Sequence, residues 1–222
     1  MKPQAQTDVR LRVADGETIA AQERREVVLL AEREELTITW SRYAAGEHGT
    51  DLHVHREHTD AFYILEGELS FALGPAAERI DAAAGSFVAV PPNVVHGFSN
   101  RSDGEVRWLN LHAPDKGFAN YLRGLRDGTG AAFDSFDPPA DGGLSPAAVI
   151  VSGPGEGERL ASGMLLKAVL TELCVAEWPP GGPDPETAAA AGGVRHTFAH
   201  EIAVVDAHAP DGGFAEMLRA LP

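Results

Sequence analysis

Between Val27 and Leu111 the chain runs as eight short β-type segments, VVLL, LTITWSRY, DLHVH, DAFYIL, ELSFAL, SFVAV, VVHGFSN and VRWLNL, divided by turn residues. Many short strands at this spacing predict an all-β sandwich or barrel. Glu66-Gly67 stands between DAFYIL and ELSFAL as a hairpin turn would, and Gly85 closes the polar stretch before SFVAV, so the strands are expected to pair as antiparallel hairpins. After the last segment, Asp115 occupies the N-cap position of FANYLRGLR, where Phe118, Tyr121, Leu122 and Leu125 fall at helical spacing. A helix is expected to close a unit spanning residues 27–126.

Residues 127–146, DGTGAAFDSFDPPADGGLSP, are rich in Gly, Pro and Asp and have no period, which predicts a linker or mobile loop. Residues 179–193, PPGGPDPETAAAAGG, lack an anchoring hydrophobic pattern and are expected to be flexible or disordered. Beyond the first of these lies a repeat. LHAPDKGFANYLRGL (111–125) returns as AHAPDGGFAEMLRAL (207–221) with ten of fifteen positions identical. Upstream, GETIA parallels GERLA, ELTITWSRYAAG parallels ELCVAEWPPGG, and VVHGF parallels VRHTF. The roughly fifty residues between Gly46 and His96 correspond to only about fifteen between Gly181 and His196. Residues 147–222 therefore read as a shortened second copy without its own metal-binding hairpins, expected to pack on the first unit, to pack on a partner subunit or to stay partly disordered. His196 is expected to be structural or vestigial.

The chemistry concentrates in the first copy. His53 and His55 are two apart on a strand, so both imidazoles project from one face. Asp60 opens DAFYIL, where parity puts Asp60, Phe62 and Ile64 on one side. His96 shares a face with Phe98 and Asn100 after the turn Pro91-Pro92-Asn93. Together His53, His55, Asp60 and His96 make a nitrogen and oxygen set for one divalent transition metal, Fe(II), Mn, Ni, Co, Cu or Zn, while Ca(II) is disfavoured. Four protein donors leave a position for water, dioxygen or a chelating substrate. Glu57 and His58 rank below Asp60 as alternative donors. The remaining histidines, His48, His58, His112, His200 and His208, are expected to be ordinary core or surface residues. Phe62, Ile64 and Phe98 are the expected substrate-pocket lining.

The two clusters resemble the paired motifs of the cupin superfamily, G-x5-H-x-H-x3,4-E-x6-G and G-x5-P-x-G-x2-H-x3-N. In the first, His53, His55, Asp60 and Gly67 fall at the family spacing, with Glu47 at the leading glycine and Asp60 for the usual glutamate. In the second, Gly85, Pro91, His96 and Asn100 match, with Asn93 at the second glycine, a residue that tolerates the left-handed conformation. The resemblance covers about residues 27–125 and implies a double-stranded antiparallel β-barrel of jelly-roll type, followed by short C-terminal helices.

A formal charge of -15, from 18 Lys and Arg against 33 Asp and Glu with no basic cluster, argues against a nucleic-acid partner. The first residues, MKPQAQTDVRLRVADGE, lack an apolar core for a signal peptide, and no apolar run reaches bilayer length, so a cytoplasmic location without membrane contact is expected. The single cysteine, Cys174, excludes an intramolecular disulfide and leaves nitrogen and oxygen to hold the metal. The resemblance to flavonol-dioxygenase-like cupins implies a small-molecule oxidoreductase with Fe(II) favoured, in which Asp60 either ligates the ion or acts as base toward a chelating substrate. The alternatives are a metal-dependent isomerase, epimerase or lyase and a non-catalytic binding module. A homodimer is the expected partner arrangement if sheet edges stay exposed.

Overall fold

The computed structural model describes residues 13–161, 163–178 and 204–220. The stretch 179–193, His196 and His200 lie outside the described residues.

Two antiparallel sheets face each other. The first runs β1(Glu17–Ala21), β2(Arg25–Glu32), β3(Thr37–Tyr43), β10(Val106–Ala113), β5(Thr59–Glu66), β8(Phe87–Val90) and β11(Ile150–Ser152). The second runs β4(His48–His53), β9(His96–Ser99), β6(Glu68–Leu73) and β7(Glu78–Ala83). Side chains of period two fill the space between them, including Phe62, Ile64, Phe71, Val88 and Trp108. This is the expected double-stranded barrel, but it starts at Glu17, ten residues before Val27, because β1 pairs along β2. It also gains β11, from beyond residue 146, on the edge of β8.

Turn chemistry pins the register. Gly67 has φ 74° between β5 and β6, and an added Cβ there would lie 2.2 Å from the Glu105 carbonyl oxygen. Asn93 adopts φ 68°, the left-handed geometry that a side-chain amide tolerates. Helix α1(Phe118–Asp127) covers the open end of the barrel near β1 and β2, where Ala119 and Leu122 pack on Ile19 and Leu29.

The second unit is a four-stranded sheet, β12(Glu158–Arg159), β13(Leu165–Val169), β14(Cys174–Trp178) and β15(Val204–His208), followed by α2(Phe214–Arg219). One face packs Ala168, Leu173 and Val175 onto Ala61, Tyr63, Phe87 and Leu111 of the barrel, while the other packs Leu166, Cys174 and Ala176 onto α2. This contact explains why β5 is buried from Thr59 to Ile64 without alternation: its inner side chains face the barrel interior and its outer ones face the second sheet. A buried ion pair, Lys167 to Glu177 at 3.0 Å, sits in the contact, with Lys167 also donating to the carbonyls of Gly85 (3.2 Å) and Gly153 (2.8 Å).

Of residues 127–146, expected to be a linker or mobile loop, Asp127 ends α1 and the rest lie along the barrel. Phe136 bridges to Val54 and Leu144 to Val94, and Asp134 is buried. The segment has no hydrophobic period because it is held by backbone and carboxylate hydrogen bonds, which leave no periodic trace.

Candidate metal centre

His53 closes β4 and His55 follows one bridge residue later; His96 opens β9 opposite His53, and Asp60 lies on β5. Each imidazole is held from behind by a backbone carbonyl: His53 Nδ1 by Asp51 (2.8 Å), His55 Nδ1 by Asp134 (2.5 Å) and His96 Nδ1 by Val94 (2.9 Å). A carbonyl only accepts, so Nδ1 carries the proton on each ring and Nε2 turns its lone pair toward the common centre. Burial, with His96 beside it, lowers His53 to about 4, which keeps that ring neutral at ordinary pH.

The Nε2 atoms of His53 and His55 are 3.3 Å apart, His96 Nε2 is 3.3 Å from Asp60 Oδ2, and His55 Nε2 is 3.6 Å from the same oxygen. Donors held about 2.1 Å from one ion lie roughly 3.0–3.4 Å apart at octahedral or tetrahedral angles, so the two 3.3 Å spacings suit a shared transition metal and the 3.6 Å one is slightly wider, with all four donor atoms within 4.8 Å of one another. Despite being shorter than glutamate, Asp60 reaches the cluster. Burial pushes the Asp60 carboxyl up, but His112, His55 and His96 outweigh it and hold it well below the usual carboxylate range. Asn110 donates to Asp60 Oδ1 at 2.5 Å and to the Ala61 carbonyl at 3.0 Å, fixing the carboxylate plane.

Two histidines expected to be ordinary belong to this neighbourhood. His112 Nε2 is 3.4 Å from Asp60 Oδ1, and its Nδ1 shares a 2.8 Å hydrogen bond with His58 Nε2. His58 Nδ1 donates to Asp134 at 2.9 Å. Burial lowers His58 to about 4 and His112 well below the histidine range, against the pull of Asp60. Parity held the available signal for His112, since 110 and 112 share the inner face of β10, whereas His58 lies in the bend before β5 and carried none. Asp134 carried no such signal. It nevertheless takes the backbone N–H of Arg56 (3.1 Å) and Glu57 (2.7 Å), so it clamps the loop that delivers His55, and Phe133 packs beside the His55, His58 and His112 rings.

The centre opens on a cavity of about 1100 Å3 bordered by His53, His55, Asp60 and His112. Phe98 borders it. Phe62 and Ile64 do not: both are fully buried in the barrel core, and Phe62 packs edge-on against Phe71 and Phe98. Parity fixed the side of the strand correctly but not the depth along the barrel. The cavity wall is instead made by Thr39, Ser41 and Tyr43 of β3 and by Trp108 and Asn110 of β10. On β3 the polar residues point inward and Ile38 points out to the sheet of the second unit, reversing the usual pattern of a strand with a solvated outer face.

Residues 39–112, from within β3 to within β10, match the family of the cupin domain. The barrel belongs to the cupin superfamily. This cupin is similar in structure to KdgF from Halomonas sp., at 17% identity and a TM-score of 0.42 over 48% of this chain and 93% of that one. It is also similar to a predicted oxalate decarboxylase from Thermotoga maritima (15%, TM-score 0.42, 48% and 99%) and to an RmlC-like cupin from Shewanella frigidimarina (23%, TM-score 0.39, 46% and 86%). A comparison with curated proteins gave no match. Among the described residues, no helix is long and apolar enough to cross a membrane.

Proposed function

We propose that this cupin holds one divalent transition metal through His53, His55, His96 and Asp60 and acts as an enzyme on a small chelating substrate, by dioxygenase-type oxidation at Fe(II). The observation that carries this reading is the convergence of three carbonyl-tethered imidazoles, Nε2 inward, at the edge of a cavity large enough for an organic molecule. When bound, the ion supplies Lewis acidity and, as iron(II), electrons for dioxygen. The chain's own groups supply the rest. Asn110 holds Asp60 Oδ1, so that Oδ2 either completes the donor set or takes a proton from the substrate. Tyr43, Phe98 and Trp108 form an aromatic wall suited to the flat face of an enol or catechol.

A second reading, isomerisation or elimination on a hydroxylated metabolite, is favoured by one observation: the inner face of β3 presents Thr39 and Ser41, beside Asn110, where Phe62 and Ile64 were expected. One experiment separates the two. Protein reconstituted anaerobically with iron(II) is given a β-diketone or catechol, and oxygen uptake is followed. Uptake that falls on the order of 100-fold in Asp60→Asn with iron retained supports oxidation with Asp60 as base. Absence of uptake with every enolisable substrate overturns it, and exchange of a substrate α-proton for deuterium without uptake establishes the second reading.

A further inference from the structure

β5 carries Asp60 into the metal centre, and its first residue is held from outside the barrel. Side chains alternate along the strand: Asp60, Phe62 and Ile64 face inward, while Ala61 and Tyr63 pack against Ala168, Leu173 and Val175 of the second unit. Thr59, on the same outer side as Ala61, is fully buried, and its hydroxyl donates to the carboxylate of Glu172. A carboxylate only accepts, so the direction of this bond is fixed and the bond is charge-assisted. The backbone at Thr59 has sheet support on one side. β10 pairs with β5 as far as Ala113 opposite Thr59, whereas β8 stops at Val90 opposite Asp60.

Glu172 sits where a tight turn of the second unit meets this strand end. The turn joins β13 to β14, and Leu170 closes it by donating its N–H to the Leu173 carbonyl at 2.8 Å. Leu173, the next residue, is fully buried in the contact with Ala61, Leu111 and Ala113. The same turn occurs in the first copy. There Arg33 and Leu36 exchange backbone hydrogen bonds at 2.9 and 3.2 Å, and the Asp115 N–H meets the Glu34 carbonyl as the Asp211 N–H meets that of Thr171. The repeat aligns Glu35-Leu36 with Glu172-Leu173, yet Glu35 is exposed and Glu172 is half-buried on Thr59. One repeat position therefore has two fates, and in the second copy it reaches the strand of Asp60.

Aspartate is a short lever. One methylene separates its carboxyl from the backbone, so a displacement of β5 passes almost whole to Oδ2, and side-chain rotation cannot restore both the Asn110 bond and the approach to His55 and His96. We propose that Glu172 is a positioning residue of the metal centre, reaching across 113 residues to fix the start of β5 through Thr59 and so to set where Asp60 meets the ion. Asp134 holds the backbone of Arg56 and Glu57 and the ring of His58, so every residue from 56 to 59 is held by a carboxylate from outside the segment 39–112. The second copy thereby acts on the site of the first while supplying none of its four donors. The role of Glu172 rests on the metal-centre reading above; its grip on Thr59 does not.

The test uses the whole chain, with zinc affinity measured against a chromophoric chelator and the donor set read from the visible spectrum of cobalt(II)-loaded protein. Thr59→Val and Glu172→Ala are each expected to weaken zinc about tenfold with stoichiometry preserved, and to change the cobalt spectrum. Glu172→Gln, which keeps an acceptor for the Thr59 hydroxyl, and Glu35→Ala, its counterpart in the first copy, are expected to stay within threefold of wild type. The loss should vanish in an Asp60→Ala background, because Asp60 is its route. Zinc affinity within threefold of wild type in both Thr59→Val and Glu172→Ala overturns the role of Glu172. So does a loss in Glu172→Gln as large as in Glu172→Ala, or a loss that persists in the Asp60→Ala background, since either reports packing of the turn and not the position of Asp60. If Thr59→Val does not fold, Glu172→Ala, at a half-buried turn, decides alone. Wild-type protein that takes up no zinc overturns the metal centre and the role of Glu172 with it, whereas zinc held equally by wild type and these variants overturns that role alone.

Discussion

The matched segments around His112 and His208 share nearly all of their local structure and differ in what surrounds them. Each ends a strand, continues through a cis Ala-Pro bond, and enters a helix after a left-handed glycine, Gly117 or Gly213. In each the histidine stacks on the first helical phenylalanine, at 3.6 Å for His112 on Phe118 and 3.4 Å for His208 on Phe214. The likeness extends outward: Arg123 pairs with Glu17 and Arg219 with Glu158, each at 2.7 Å, and both β2–β3 and β13–β14 carry a register shift at matching places. Yet His112 is 2% exposed at a carboxylate of the metal centre, while the His208 side chain is 45% exposed beside Asp206. Local sequence sets the strand-to-helix corner. The β4–β9 hairpins and the 133–136 strap, which have no equivalent among the described residues of the second unit, turn the same corner into part of a buried site.

The largest effect should come from breaking the site itself. His96→Ala is expected to take bound metal from about one equivalent per chain to none, and His208→Ala to leave it unchanged, as measured by elemental analysis of protein loaded with zinc and passed over a desalting column. Metal retained in the first variant, or lost in the second, would invert the contrast between the two copies.

Next in size is the contact between the units. Lys167→Ala leaves Glu177 buried without its cation and should lower stability by about 3–5 kcal/mol in denaturant unfolding. Cys174 gives a local readout, because burial, reinforced by Asp211, pushes its thiol up to about 12 and it should resist alkylation in the wild type. Faster labelling of Cys174 in Lys167→Ala would show that the second unit loosens first. Unchanged labelling together with lowered stability would show that the barrel yields instead.

A smaller effect separates the strap from the ligands it holds. Asp134→Ala removes the carboxylate that clamps the backbone of Arg56 and Glu57 and orients His58, but leaves all four metal donors in place. Metal affinity should fall roughly 10- to 100-fold in competition with a chromophoric chelator, with stoichiometry preserved. Affinity equal to wild type would mean that the loop delivering His55 is held by Phe133 and the barrel alone.

The sequence by itself determined the pattern of strands and turns, the left-handed turn at Asn93, the recurrence of the His-Ala-Pro-Asp corner, and which side chains can share a face. These are local properties, written in period two and in residue type. On that basis His53, His55, Asp60 and His96 were legible as candidate donors, whereas the pairing that brings His53 opposite His96 was not. Tertiary structure decided the rest. Parity says on which side of a strand a residue lies but not how deep in the barrel, so Phe62 and Ile64 fell in the core and Thr39, Ser41 and Trp108 took the cavity wall. Asp134, 79 residues from His55, reaches it only because the chain after α1 returns across the barrel mouth. Barrel closure alone brings together these groups, far apart in sequence, and no local period records which of them meet.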